Sequence, residues 1–165
     1  MKGRRTLRVV LPIIILMMIG GVWWLKSTAE TEQLPLELTN VELDRILSYG
    51  KPVLLDFGAS WCMPCQQMAP HLRSVYEKMQ GKALVFYVEI DKYPDAAKDF
   101  PVRVVPTQFF YTADGKPYVP SEELKEAFGF ILYSYRDTGE HVFTAHEGAL
   151  TEEQMLLIFA DMGVE

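Results

Sequence analysis

Hydrophobic positions fall into two regimes along this chain. Val9 to Leu25 is a run of 17 uncharged, mostly apolar residues with no polar face. From Thr39 onward, apolar residues recur at strand or helix spacing between turn signals. Val41, Leu43, Ile46 and Leu47 predict a short amphipathic helix closing near Gly50, with Thr39 and Glu42 in a capping-box pattern. VLLDF after Pro52 is a compact apolar strand of the buried type. Met68, Leu72, Val75, Tyr76 and Met79 predict a helix over 63–80, stopped by Gly81 and kinked at Pro70. ALVFYVEI (83–90) is a second buried strand, PDAAKDF a short helix, and TQFFY (107–111) a third strand ended by the Ala113–Lys116 turn. KPYVPSEELKEAF can form a helix with Ser121 as N-cap and Ser121-Glu122-Glu123 as its solvated start. FGFILYSYRDTGEHVFTA reads as a hairpin around Asp137-Thr138-Gly139. Thr151 and Gln154 box the start of a last helix that closes on Gly163. This order predicts an α/β fold: a central mixed β-sheet flanked by helices.

Charge changes the picture at the N-terminus. Residues 1–29 hold five basic residues (Lys2, Arg4, Arg5, Arg8, Lys26) and no acid, so the remainder of this −6 chain carries −11. So acidic a body excludes a nucleic-acid partner as its main business. Arg8 and Lys26 flank the apolar run, and Trp23 and Trp24 sit where an interfacial belt belongs. As a helix the run is about 26 Å long, near the short end for a membrane span. Residues 1–29 are therefore expected to be a membrane anchor with a cytoplasmic N-terminus and an extracytoplasmic body. A signal peptide cut after Ala29 is the alternative, since Thr28 is preceded by Ser27 and small residues occupy the −3 and −1 positions. A buried core helix is the third reading. Residues 30–39 would be a linker, and residues 40–165 the domain.

Both cysteines sit in one frame, Cys62-Met63-Pro64-Cys65. They could hold a metal, staple a loop or exchange electrons. Zinc needs about four ligands, and none of His71, His141 and His146 is spaced to join the pair. A bridge closing so short a loop removes little chain entropy. A redox pair fits best, because Cys62 lies where a strand hands over to a helix and the helix N-terminus favours its thiolate. Cys65, one turn in and less exposed, is within reach of a mixed disulfide on Cys62. Pro64 suits a first turn, where its missing N–H costs nothing. Asp56, inside an apolar strand, needs a partner or a proton-handling role.

Asp56, Trp61-Cys62-x-Pro64-Cys65, Pro70 and Val105-Pro106-Thr107 resemble the thioredoxin family in order and interval, over roughly residues 40–111 and 141–163. The resemblance implies a thioredoxin fold with no cofactor beyond the redox-active Cys62–Cys65 disulfide, and no metal. It implies that Cys62 is the attacking thiolate, Cys65 the resolving thiol and Asp56 the carboxylate that takes the Cys65 proton. Pro106 would be a cis-proline facing the disulfide, with Val105 pairing its backbone to an extended substrate. Trp61 would shield the site, and Met63 and Pro64 would touch substrate.

The chain departs from the family at two places. Tyr87 stands where many thioredoxins have a lysine near the buried acid. About 25 residues, 112–136, intervene before the final hairpin strand and carry Tyr118, Phe128, Phe130, Tyr133 and Tyr135. They would form either a self-packed edge or a docking surface for partners. His71 is expected to face solvent. Met-Pro between the cysteines, without the histidine of oxidising relatives, points to a disulfide reductase acting on exported proteins and fed by a membrane electron donor. An exported oxidase or isomerase, or a non-enzymatic binding or assembly module, is the alternative.

Overall fold

The computed structural model describes residues 34–164 and Met17. The expected anchor or signal segment, residues 1–29, otherwise lies outside the described residues. Among the described residues no helix is long and apolar enough to cross a membrane.

Five strands form one mixed sheet: β1 (Val53–Gly58), β2 (Leu84–Glu89), β3 (Thr107–Tyr111), β4 (Ile131–Ser134) and β5 (His141–Glu147), in the order β2-β1-β3-β5-β4. Only β1 and β2 are parallel; every other pair is antiparallel. Within residues 34–164 the helices are α1 (Leu43–Leu47), α2 (Met63–Lys78), α3 (Glu122–Phe128) and α4 (Glu152–Asp161), with a single 3₁₀ turn at Pro94–Ala97.

Alternation along the strands divides the core between two faces. Leu54, Val85 and Phe110 meet Met68, Leu72 and Val75 of α2 and Met155, Ile158 and Phe159 of α4. Val53, Leu55, Phe57, Phe86, Val88 and Phe109 pack on the opposite face with Ile46, Ala96 and Phe100. β1 is buried on both faces, which is why VLLDF reads as a run rather than an alternation.

Several local expectations are corrected. α1 starts at Leu43 after Glu42, with no side-chain cap, so Thr39 does not cap it. Residues 34–38, inside the expected linker, run along the open edge of β2. The Tyr87 N–H donates to Leu36 O (2.7 Å), the Leu38 N–H donates to Tyr87 O (2.8 Å), and the Tyr76 hydroxyl donates to Leu34 O (2.7 Å). α2 runs unbroken through Pro70 and ends at Lys78. Ser121 occupies the N-cap of α3, but its side chain makes no capping bond; its N–H instead donates to the Asp161 carboxylate at 3.1 Å. The Thr151–Gln154 capping box of α4 is present in both directions.

The long segment after β3 packs into the domain. Tyr118 and Phe130 are buried against Phe110, with ring centroids 5.7 to 6.2 Å apart in edge-to-face arrangement. The Tyr118 hydroxyl donates to Asp161 of α4. β4 then adds an outer strand beyond β5. Among the aromatics of the segment 112–136 Tyr135 is the most exposed, at 57%. These contacts favour the self-packed edge over a docking surface built from Tyr118 and Phe130.

Phe130→Ala should therefore lower the unfolding free energy by about 3 kcal/mol, while Tyr135→Ala should change it by less than about 0.5 kcal/mol. Urea denaturation of both variants checks this. Equal, small losses would mean that the segment is peripheral.

Candidate active site

The turn between β1 and α2 sets the site. Cys62 is the N-cap of α2, and its sulfur accepts the Cys65 N–H at 3.2 Å. That N–H, with the helix N-terminus behind it, favours negative charge on the Cys62 sulfur when the bond between the cysteines is open. The pair is joined as a disulfide with Cα atoms 5.2 Å apart. Pro64 falls in the first turn as expected. The expectation that Cys65 is the less exposed cysteine is not met: Cys62 is 5% exposed and Cys65 7%, since the linked sulfurs are covered together.

Around Cys62 the surface is apolar and open. Trp61 and Met63 are 68% and 62% exposed, and Pro64 is exposed beside them. The Val105–Pro106 bond is cis, Pro106 is buried, and the Val105 carbonyl oxygen lies 3.4 Å from Cys62 Sγ. Val104, 49% exposed, extends this apolar rim. Trp61 is held by its indole N–H, which donates to Asp91.

Cys65 faces the other way, into a groove of about 560 Å³ lined in part by Asp56, Arg73, Tyr87, Glu89 and Leu36 of the edge segment. Asp56 is 1% exposed. Burial raises its pKa to about 7, and a hydrogen bond from Gln108 Nε2 (2.9 Å) partly opposes that rise. A carboxyl poised there can take and return a proton near neutral pH. Tyr87, at the expected lysine position, brings no positive charge. Burial first, and then the Glu89 carboxylate that accepts its hydroxyl at 2.9 Å, keeps its phenol protonated. Glu89, 3% exposed, also accepts the Ser60 N–H at 3.1 Å, tying β2 to the loop before the cysteines. Gly58 lies beneath the Tyr87 ring. A Cβ there would meet Tyr87 Cε2 at 2.8 Å and would stand about 3.5 Å from both the Tyr87 hydroxyl and Cys65 Sγ.

The structure thus brings all eight sequence-predicted residues to one place: Cys62, Trp61, Met63, Pro64, Val105 and Pro106 on the open side, Cys65 and Asp56 on the groove side. His71 is half-buried beside the start of α4 and does not reach the pair. Sequence reasoning missed Glu89, Asp91, Gln108 and His146. Gln108 and His146 had the same signal as Asp56, a polar residue inside a buried strand. Among the described residues no cluster of His, Cys, Asp or Glu is arranged to hold a metal ion.

The raised pKa of Asp56 makes a signed prediction. Between about pH 4 and 7 the folded chain holds a proton that the unfolded chain has lost, so stability falls as pH rises, by on the order of 4 kcal/mol in total. Asp56→Asn should abolish this slope and leave the disulfide form more stable than wild type above pH 7. Denaturation midpoints from pH 4 to 8 read it out; parallel curves would contradict it.

Comparison with known proteins agrees with this geometry. A family model described as thioredoxin matches residues 35–128. Thioredoxin of Alicyclobacillus acidocaldarius is 31% identical over 103 residues, covering 59% of this chain and 97% of that protein. Chloroplastic thioredoxin Y1 of Arabidopsis thaliana is 39% identical over 74 residues, 45% of this chain and 42% of that protein, so the chain spans less than half of that relative. The crystal structure of chloroplastic thioredoxin z superposes with a TM-score of 0.54 at 22% identity, covering 77% of this chain and 92% of that one, a likeness of fold alone. With the family model over more than half its length and a bacterial relative matched almost end to end, the chain belongs to the thioredoxin family and carries the cysteine pair of a thiol–disulfide oxidoreductase.

Proposed function

We propose that the protein reduces disulfides of exported proteins on the outer side of the cytoplasmic membrane, held there by residues 1–29. The single observation that carries the chemistry is the Cys62 sulfur capping α2 with the cis-Pro106 loop beside it. The basic head and apolar run of residues 1–29 support the location.

In the reducing direction the Cys62 thiolate attacks one sulfur of a partner disulfide. The partner S–S bond breaks, a mixed disulfide forms, and the first partner thiolate leaves. Cys65 then gives its proton to Asp56 and attacks Cys62 Sγ. The mixed disulfide breaks, the second partner thiolate departs, and the Cys62–Cys65 bond closes. Two electrons have passed to the partner. A membrane-borne dithiol donor restores the pair by the same exchange in reverse order. Trp61, Met63 and Val104 offer apolar contact to the partner chain. The Val105 backbone offers hydrogen bonds to an extended segment of it. Met-Pro between the cysteines supplies no cation to stabilise the thiolate further, which supports a reducing pair over an oxidising one.

Cys65→Ser should trap a partner as a mixed disulfide on Cys62, and Cys62→Ser should abolish exchange. Equilibration with glutathione buffers should give a reduction potential near the roughly −270 mV of thioredoxin. A value above about −180 mV would instead assign an oxidase, with the same residues working in the opposite direction.

A further inference from the structure

Strand register places four polar side chains in one row across the sheet, on the face beneath α2 and α4. Tyr87 pairs with Asp56, Asp56 with Gln108, and Gln108 with His146. Three of the four are hydrogen-bonded in series. Gln108 Nε2 donates to Asp56 Oδ1 at 2.9 Å, and His146 Nδ1 lies 2.8 Å from Gln108 Oε1. Gln108 is fully buried and His146 is 9% exposed. A carboxamide has one donor side and one acceptor side. When His146 Nδ1–H occupies the oxygen, the NH₂ group must face Asp56.

We infer that Gln108 and His146 are positioning residues for the proton chemistry of Asp56. His146 orients the Gln108 amide so that it presents an N–H, and not an oxygen, to the carboxylate. The inference rests on the reading of Asp56 as the base for Cys65. An N–H aimed at Asp56 stabilises the ionised carboxylate, the form that accepts the Cys65 proton. Without that donor, burial alone would hold the carboxyl protonated to higher pH. The segment between β3 and β5 completes the device, because Phe130 lies edge-on to the His146 ring, with centroids 6.2 Å apart. Burial lowers the pKa of His146, while the Gly148 backbone and the Glu147 charge oppose the shift. A neutral ring keeps one nitrogen free of a proton and lets the other act as the fixed donor.

The titratable groups that line the groove with Asp56 are Tyr87 and Glu89 from β2, Cys65 and Arg73 from α2, and Glu37 of the edge segment. Around His146 the charged neighbour is Glu147. The Gln108 amide nitrogen also lies 3.6 Å from Met68 Sδ.

The test is the pH dependence, from 5 to 9, of single-turnover resolution of a mixed disulfide formed on Cys62 with 5-thio-2-nitrobenzoate. It uses the full chain in detergent. The wild type should show an inflection near pH 7, and Asp56→Asn should lose it. Gln108→Met, similar in volume, should move the inflection up by about one pH unit. His146→Phe should move it the same way by less, because Gln108 remains but is unoriented. An inflection that survives Asp56→Asn overturns the base assignment and this inference together. One that is lost in Asp56→Asn but unmoved in both other variants overturns this inference alone, even if both variants melt earlier. Nitrogen chemical shifts of His146 give a readout that needs no variant. The proton should sit on Nδ1 above the inflection; a ring protonated at Nε2 alone throughout the range would overturn the inference.

Discussion

A carboxylate in the middle of a sheet sets the terms for the rest of this molecule. Asp56 belongs to a strand buried on both faces, where an unpaired charge costs several kcal/mol and a protonated acid costs far less. The chain neither removes the acid nor pairs it with a cation. It supplies one amide N–H from Gln108 and leaves a groove open on the side of Cys65. The result is a group balanced near neutral pH in a strand otherwise made of Val, Leu, Phe and Gly. That balance lowers stability above the titration, and in the proposed mechanism it supplies the base for Cys65. Function here opposes packing at a single residue.

The cysteine turn solves a different problem with the backbone. A sulfur at the N-cap takes the place of the usual Ser or Asp oxygen, so the group that caps α2 is also the group proposed to attack the partner. Glu89 and Gln66 hold the approach to this cap, through the Ser60 N–H and the Ser60 carbonyl respectively. Trp61, pinned to Asp91, stands exposed at the rim of the site. The apolar rim and the polar groove beside the disulfide thus have separate supports.

Much of this was legible in the sequence. VLLDF, TQFFY, the CMPC frame and the Thr151–Gln154 box each carry a local signal that tertiary packing reinforces. The eight predicted site residues converge because their spacing around β1, α2 and the Pro106 loop fixes them. Less legible were features that depend on strand register. Gln108 lies 52 positions from Asp56 and His146 another 38 beyond it, so the row forms only once β1, β3 and β5 are aligned. Thr39 failed as a cap because the chain before α1 is already committed to the β2 edge. For Tyr118 and Phe130 the length of their segment left a self-packed edge and a docking surface both open. Burial against Phe110 is a property of the assembled core.

The segment 34–38 has a further consequence. By hydrogen-bonding along β2 it gives that margin of the sheet a neighbour from its own chain, leaving the β4 side, among the described residues, as the margin without one. β4 is four residues long, half-exposed in alternation, and irregular at Tyr133 and Ser134 where it leaves its partner. A short, kinked margin is a poor template for a strand from another molecule. The sheet is therefore protected from edge-to-edge polymerisation by two unrelated means, occupancy on one side and irregularity on the other.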